Sequence, residues 1–207
     1  MDYNTYKTIL VTGIGGFIGS HMVRELLLHT DSRVIGIESW KPSHKNDSYR
    51  LRCALGDVPA EDARRLKIIR HDLTHEFSPP LVEKIRSEAD GKVDAILNIA
   101  SDSRVTYSIS HPGETWHNNT ALIYNMLELA RELTPQVFLQ VSTDEVYGDV
   151  DWSSAGHPEW DVILPSNPYS ASKAAQEALA IAYWRTYDVP LVLTNTMNVI
   201  GEWQDPE

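Results

Sequence analysis

The sequence predicts an α/β fold built on a doubly wound parallel sheet, with helices on both faces and one domain over residues 1–207. Three observations predict it. Short apolar runs alternate along the chain with segments of helical period. The first apolar run ends in a glycine cluster that opens a helix. The second stays apolar until an acidic end.

Taken in order, Ile9-Leu10-Val11 reads as a buried strand stopped by glycines. Phe17, Ile18, Met22, Leu26 and Leu27 recur at helical spacing and predict a helix from Phe17 to His29. Arg33 to Glu38 is a second strand. Trp40 to Glu61 is polar and irregular, which predicts a loop with a short helix. Leu66 to Arg70 is a third strand, followed by the turn His71-Asp72-Leu73-Thr74. A helix over Pro80 to Ala89 and a fourth strand over Val93 to Ile99 come next. Leu122, Met126, Leu129 and Leu133 share one face of a long helix from Glu114 to Leu133. Val137 to Ser142 is a fifth strand, Pro168 to Tyr187 an alanine-rich helix and Leu191 to Thr194 a sixth strand. Strands linked this way need right-handed crossovers, and the order fits a Rossmann-like nucleotide-binding sheet.

Composition narrows the function classes. The formal net charge is -11, which disfavours nucleic acid and anionic membrane surfaces as partners. No apolar run approaches the roughly 20 residues of a membrane helix. Met1-Asp2-Tyr3-Asn4 has neither a basic start nor a long apolar core, so no signal peptide is predicted. One cysteine, Cys53, permits no internal disulfide and fits a cytoplasmic protein. The histidines are scattered without metal-ligand spacing, so no metal site is predicted. His71, His75 and His111 read as loop residues.

Gly13, Gly16 and Gly19 stand three apart in Thr12-Gly13-Ile14-Gly15-Gly16-Phe17-Ile18-Gly19-Ser20. Between a strand and a helix, that spacing gives a tight turn, close approach of backbone N–H groups to a pyrophosphate and close helix–strand packing. The helix N-terminus then favours the anion. An ordinary tight turn is the plain alternative. Glu38 ends the second strand, where a carboxylate accepts from the adenosine ribose hydroxyls and selects NAD over a 2′-phosphorylated cofactor. Lys41 and Lys45 keep NADP as the minority reading. Asp72 stands where a carboxylate can face the adenine amino group, though alone it reads rather as a turn aspartate.

Tyr169 and Lys173 form Tyr-x-x-x-Lys at the start of a helix, which puts both side chains on one face. A nearby ammonium is expected to lower the phenol pKa, so that Tyr169 takes a substrate hydroxyl proton. Thr143, after the fifth strand, completes a proton relay. An amphipathic helix without chemistry is the alternative for Tyr-x-x-x-Lys standing alone.

Together these motifs resemble the extended short-chain dehydrogenase/reductase family of NAD-dependent epimerases and dehydratases. The resemblance covers essentially the whole chain: Thr12–Ser20, Asn98-Ile99-Ala100-Ser101, Val141–Gly148, Pro165–Lys173 and Thr194–Glu207. Val141-Ser142-Thr143-Asp144-Glu145-Val146-Tyr147-Gly148 and Pro168-Tyr169-Ser170-Ala171-Ser172-Lys173 are similar to the dTDP-glucose 4,6-dehydratases within it. The resemblance implies a cofactor set of Gly13, Gly16, Phe17, Ile18, Gly19, Glu38, Asp72, Leu73, Ala100, Asn119, Ser142, Tyr169 and Lys173. It implies a nucleotide-diphosphate sugar as substrate, met by Ser103, Arg104, Thr143 and Asn198. It also implies a homodimer through the helices at 114–133 and 168–187.

Asp144 and Glu145 set the subclass. Epimerases of the family only remove and return hydride. A dehydratase must also break the C6–O bond, which takes a base for C5 and an acid for the departing hydroxyl. By resemblance Glu145 is the base and Asp144 the acid. Related decarboxylases and GDP-mannose dehydratases commonly carry serine in place of Asp144. Asn98 to Arg104, Trp152 to Val162 and Thr196 to Ile200 depart from the family pattern, which implies a different sugar or nucleotide. The chain ends at Gln204-Asp205-Pro206-Glu207 with no capping helix, so a linker from residue 196 and a largely missing C-terminal substrate domain are expected. Three readings follow: a nucleotide-sugar 4,6-dehydratase, an epimerase or decarboxylase with the same Tyr169 and Lys173, and an NAD-binding module without turnover.

Overall fold

β1 (Thr8–Thr12) lies at the centre of the sheet, all five residues buried. The computed structural model describes residues 5–41, 46–150, 153 and 156–204. With β2 (Arg33–Glu38), β3 (Leu66–Arg70), β4 (Ala95–Asn98), β5 (Val137–Thr143) and β6 (Leu191–Thr196), β1 forms a six-stranded sheet of order β3-β2-β1-β4-β5-β6. Every pairing is parallel. The order reverses between β1 and β4, and in such sheets the crevice outside the strand ends at that point takes the ligand.

Alternation along the strands divides the core in two. Ile9, Val11 and Val34 pack with Val23 and Leu27 of α1 (Phe17–His29) and Leu51 of α2 (Asp47–Ala54). Leu10, Ile35, Ile37 and Ile96 pack on the opposite face. Their partners are Val82 and Ile85 of α4 (Pro79–Glu88), Ile123 and Met126 of α6 (Pro112–Leu133), and Ala180 and Tyr183 of α7 (Pro168–Tyr187). A parallel sheet covered on both faces needs apolar residues along its strand interiors, as Ile9-Leu10-Val11 supply in β1.

The predicted doubly wound sheet is present, and α1, β2, β3 and α7 have the bounds read from the sequence. Local differences remain. The segment after Trp40 holds two helices, α2 and α3 (Ala60–Ala63), where one short helix was expected. α5 (Val105–Ser110), a six-residue helix that the sequence does not predict, is rich in β-branched residues and serine and has no apolar period. It is fastened from outside, its Ser108 hydroxyl accepting from the Tyr169 N–H at 3.2 Å. α6 begins at Pro112, whose missing N–H costs nothing in a first turn. Among the described residues no helix is long and apolar enough to cross a membrane.

Candidate active site

The glycine loop joins β1 to α1, and its geometry forbids side chains. A Cβ on Gly19 would stand 2.0 Å from the Gly13 carbonyl oxygen, and one on Gly13 3.0 Å from the Ala100 Cα. Gly13 also has a φ of +70°, which side chains rarely adopt. Gly16 caps α1 without any side-chain hydrogen bond, so the first-turn N–H groups face the switch point unclaimed by a capping side chain. Phe17 and Ile18 form that first turn.

Glu38, buried at the end of β2, accepts from the Gly15 N–H at 3.0 Å and the Ser39 N–H at 2.7 Å. It is thereby fixed against the loop. Asp72 follows β3, where its carboxylate accepts from the Thr74 N–H and hydroxyl and pairs with Lys41 at 3.0 Å. Burial works to raise the Asp72 pKa, but Thr74 and Lys41 outweigh it and hold the carboxyl below its usual range. Lys41 is thus engaged, while Lys45 lies outside the described residues. Leu73 is buried, and its carbonyl accepts from Asn125.

The catalytic candidates converge from two elements. Ser142 and Thr143 end β5, and Asp144 and Glu145 open a single 3₁₀ turn (Asp144–Tyr147) beside it. α7 brings Tyr169 and Lys173, and starts sharply because Asn167 and Ser170 form a reciprocal capping box ahead of Pro168. The same Asn167 donates through Nδ2 to the Glu145 carboxylate at 3.0 Å, tying the carboxylate turn to the helix start. Thr143 Oγ1 donates to Asp144 Oδ1 at 3.2 Å.

The electrostatics correct one expectation. Burial, then the charges of Glu145 and Asp144, push the Tyr169 phenol well above its ordinary pKa, against a hydrogen bond with Thr143. The Lys173 ammonium is not among the leading influences on it. That ammonium donates instead to the Val141 carbonyl at 2.6 Å. Burial brings Lys173 down to about 8, with Glu177 opposing. The Tyr-x-x-x-Lys spacing places both residues on one helix face, but the charges that act most on the phenol are those of Glu145 and Asp144.

Among the described residues four buried hydroxyls, those of Ser101, Thr115, Ser142 and Thr194, have no hydrogen-bond partner; Ser101 lies beyond β4 and Ser142 on β5. Buried polar groups are rarely left so, and both stand at strand ends beside the switch point. With the bare glycine loop they fit a dinucleotide with hydroxyl and amide groups to offer. Among the described residues no cluster of His, Cys, Asp or Glu could hold a metal ion.

The sequence model of the GDP-mannose 4,6 dehydratase family matches residues 10–207. The chain belongs to this family. Its curated relatives include the trifunctional UDP-glucose 4,6-dehydratase/epimerase/reductase of Arabidopsis thaliana, 35% identical over 100% of the chain and 30% of the relative. Another is the dTDP-glucose 4,6-dehydratase of Neisseria meningitidis, 33% identical over 97% of the chain and 56% of the relative. The chain therefore spans about a third to just over half the length of these relatives. Among solved structures it is similar to the dTDP-glucose 4,6-dehydratase DesIV of Streptomyces venezuelae with NAD bound. That likeness has a TM-score of 0.81 at 32% identity and covers 96% of this chain and 58% of that one.

Within this family fold, some sequence candidates stand apart from the catalytic cluster. Ser103 and Arg104 are exposed ahead of α5, where Arg104 pairs with Asp102 at 2.8 Å and lies over the Tyr107 ring. Asn198 is exposed after β6. Trp152 and residues 205–207 lie outside the described residues. Asn119, which the resemblance places in the cofactor set, is fully buried in α6, its amide donating to Ser172 Oγ at 2.8 Å. The sequence motifs assign no site role to Gly15, Ser101, Asn167 or Arg50. Asn-Pro ahead of Tyr169 was a legible helix-start signal. Nothing local marks Arg50, whose role comes from residues far along the chain.

Proposed function

We propose that the protein is an NAD-dependent nucleotide-sugar 4,6-dehydratase that converts an NDP-glucose to its 4-keto-6-deoxy product. The observation that carries the reading is the adjacent pair Asp144 and Glu145, whose charges act on the buried phenol of Tyr169. An epimerase needs no such pair. The curated relatives named above support the reading, since both carry 4,6-dehydratase names.

Gly13, Gly16, Phe17, Ile18 and Gly19 would hold the pyrophosphate, Glu38 the adenosine ribose and Asp72 with Leu73 the adenine side. Ala100, Asn119, Ser142, Tyr169 and Lys173 would border the nicotinamide end. When bound, NAD would supply the acceptor for the C4 hydride and its donor at C6, and a cationic nicotinamide there would oppose the charges of Glu145 and Asp144 that raise the Tyr169 phenol. Tyr169 takes the C4 hydroxyl proton, with Thr143 holding that hydroxyl. The resulting ketone acidifies C5. Glu145 then removes the C5 proton while Asp144 delivers a proton to the departing C6 hydroxyl, and Glu145 returns its proton to C5 once C6 is reduced. Asn167 keeps Glu145 aimed by its hydrogen bond.

Ser103, Arg104 and Asn198 are proposed to meet the sugar nucleotide. Residues from 196 onward are proposed to lead toward a substrate domain. Exposed Trp116 and Tyr124 on α6, with Ile181, Trp184 and Tyr187 on α7, support a homodimer through this helix pair. The free Cys53 supports a cytoplasmic location. The test is incubation of the protein with NAD and dTDP-glucose or UDP-glucose. The 4-keto chromophore is expected in alkali. Epimerised sugar without ketone, or release of CO2 from a uronate, would move the reading to the epimerases or decarboxylases.

A further inference from the structure

A line of hydrogen bonds runs through the core from the glycine loop to the catalytic helix. Thr12 Oγ1 donates to Asn98 Oδ1 at 2.9 Å, Asn98 Nδ2 to Gln140 Oε1 at 2.7 Å, and Gln140 Nε2 to Gln176 Oε1 at 3.0 Å. Gln176 Nε2 donates to the Asn119 carbonyl at 2.8 Å. Asn119 Nδ2 then donates to Ser172 Oγ at 2.8 Å, and Ser172 Oγ to the Tyr169 carbonyl at 2.7 Å. All six side chains are fully buried. They come from β1, β4, β5, α7 and α6, so the line crosses the sheet and enters both helices that flank the catalytic cluster.

The direction of every bond is fixed from both ends. Thr12 Oγ1 already accepts from the Ile99 and Ala100 N–H groups, at 3.0 and 3.1 Å, which fills its lone pairs. Its one hydrogen must therefore go to Asn98, which forces the Asn98 oxygen toward it and the Asn98 amide hydrogens onward. At the far end Gln176 faces a carbonyl, which only accepts, so Nε2 must point there and Oε1 back to Gln140. The two constraints agree, and no amide can flip without leaving a buried donor facing a donor. Such a network costs stability if any member fails and gives rigidity when all are satisfied.

We propose that Thr12, Asn98, Gln140, Gln176, Asn119 and Ser172 form one positioning unit that fixes the first turn of the catalytic helix relative to the cofactor loop. Gln140 and Gln176, outside the proposed cofactor and catalytic sets, are its central positioning residues. The inference deepens the cofactor reading above, on which its main readout rests.

The test is a double-mutant cycle in the full chain, joining the two ends of the line, Thr12→Val and Ser172→Ala, read by NADH affinity. Residues so placed and not in contact should act independently unless coupled. The two losses are expected to be non-additive by at least about threefold in Kd. Gln140→Met, which cuts the middle, should abolish that coupling, and Thr12→Ser, which keeps the hydroxyl, should preserve it. Additive effects, or coupling that survives Gln140→Met in folded protein, would overturn the proposal. Absence of NADH binding by the unmutated chain would sink the cofactor reading instead. The same cycle is then read by denaturant unfolding, where additive losses overturn the positioning unit equally.

Discussion

The Lys173 ammonium is anchored to the Val141 carbonyl at 2.6 Å, one residue before the strand end that carries Ser142 and Thr143. It is a buried cation held by one strand, and burial keeps its pKa at about 8, below the ordinary 10.5. A lysine whose folded pKa is depressed takes up its proton more readily when unfolded. Stability should therefore rise with pH from about 8 upward, because there the unfolded chain binds more protons. The raised Tyr169 and Tyr183 reverse the trend above their unfolded values near 10. Between these limits the unfolding free energy of the native chain should gain on that of Lys173→Met by up to about 1.4 kcal/mol per pH unit. Urea titrations across that window check it, and parallel curves would contradict the assignment.

Asp144→Asn and Glu145→Gln should separate the two halves of the reaction. Each removes a group needed for elimination across C5 and C6, and leaves Tyr169 to act at C4. Dehydration should fall by about 10²-fold or more while reduced nicotinamide accumulates on adding NDP-glucose. Each substitution also removes a charge that raises the Tyr169 phenol, so tyrosinate difference absorbance should show its titration moving to lower pH. Loss of C4 oxidation together with dehydration would place these carboxylates elsewhere in the chemistry.

Gly19→Ala tests the loop without touching the catalytic cluster. Its Cβ would collide with the Gly13 carbonyl, backbone that can yield only by opening the turn. A loss of stability of about 1–3 kcal/mol and of most NAD affinity is expected from melting curves and NADH fluorescence. Unchanged NAD affinity would mean that the dinucleotide does not lie on this loop.

Arg50 joins three distant pieces of chain. Its guanidinium donates to the Gly15 carbonyl at 3.1 Å, to Asp47 at 3.0 Å and to the Trp203 carbonyl at 2.9 Å, and it is almost fully buried. Around it, Trp203 stacks on His21 of α1, whose Nε2 also bonds the Glu202 carbonyl. Arg50→Ala should cost about 3–5 kcal/mol, as removal of one member of a buried ion pair does. It should also free the 201–204 segment. Hydrogen exchange at residues 201–204 is expected to accelerate more than at β1, and uniform protection would refute the clamp.

The sequence by itself determined the sheet, because apolar runs and helical periods are local properties of a covered parallel sheet. It also determined the glycine loop and the pairing of Tyr169 with Lys173, since their spacing alone dictates a turn and a shared helix face. Helix α5 was illegible, as its residues carry no period and are held by contacts with α7. Tertiary structure alone decided what each charged group meets. Only folding put Asn167 against Glu145 and Arg50 against Trp203, and brought the charges of Glu145 and Asp144 to bear on the Tyr169 phenol. Spacing fixes which face a side chain leaves from. Burial and long-range neighbours fix its charge state and its partners, and these depend on residues brought from elsewhere in the chain.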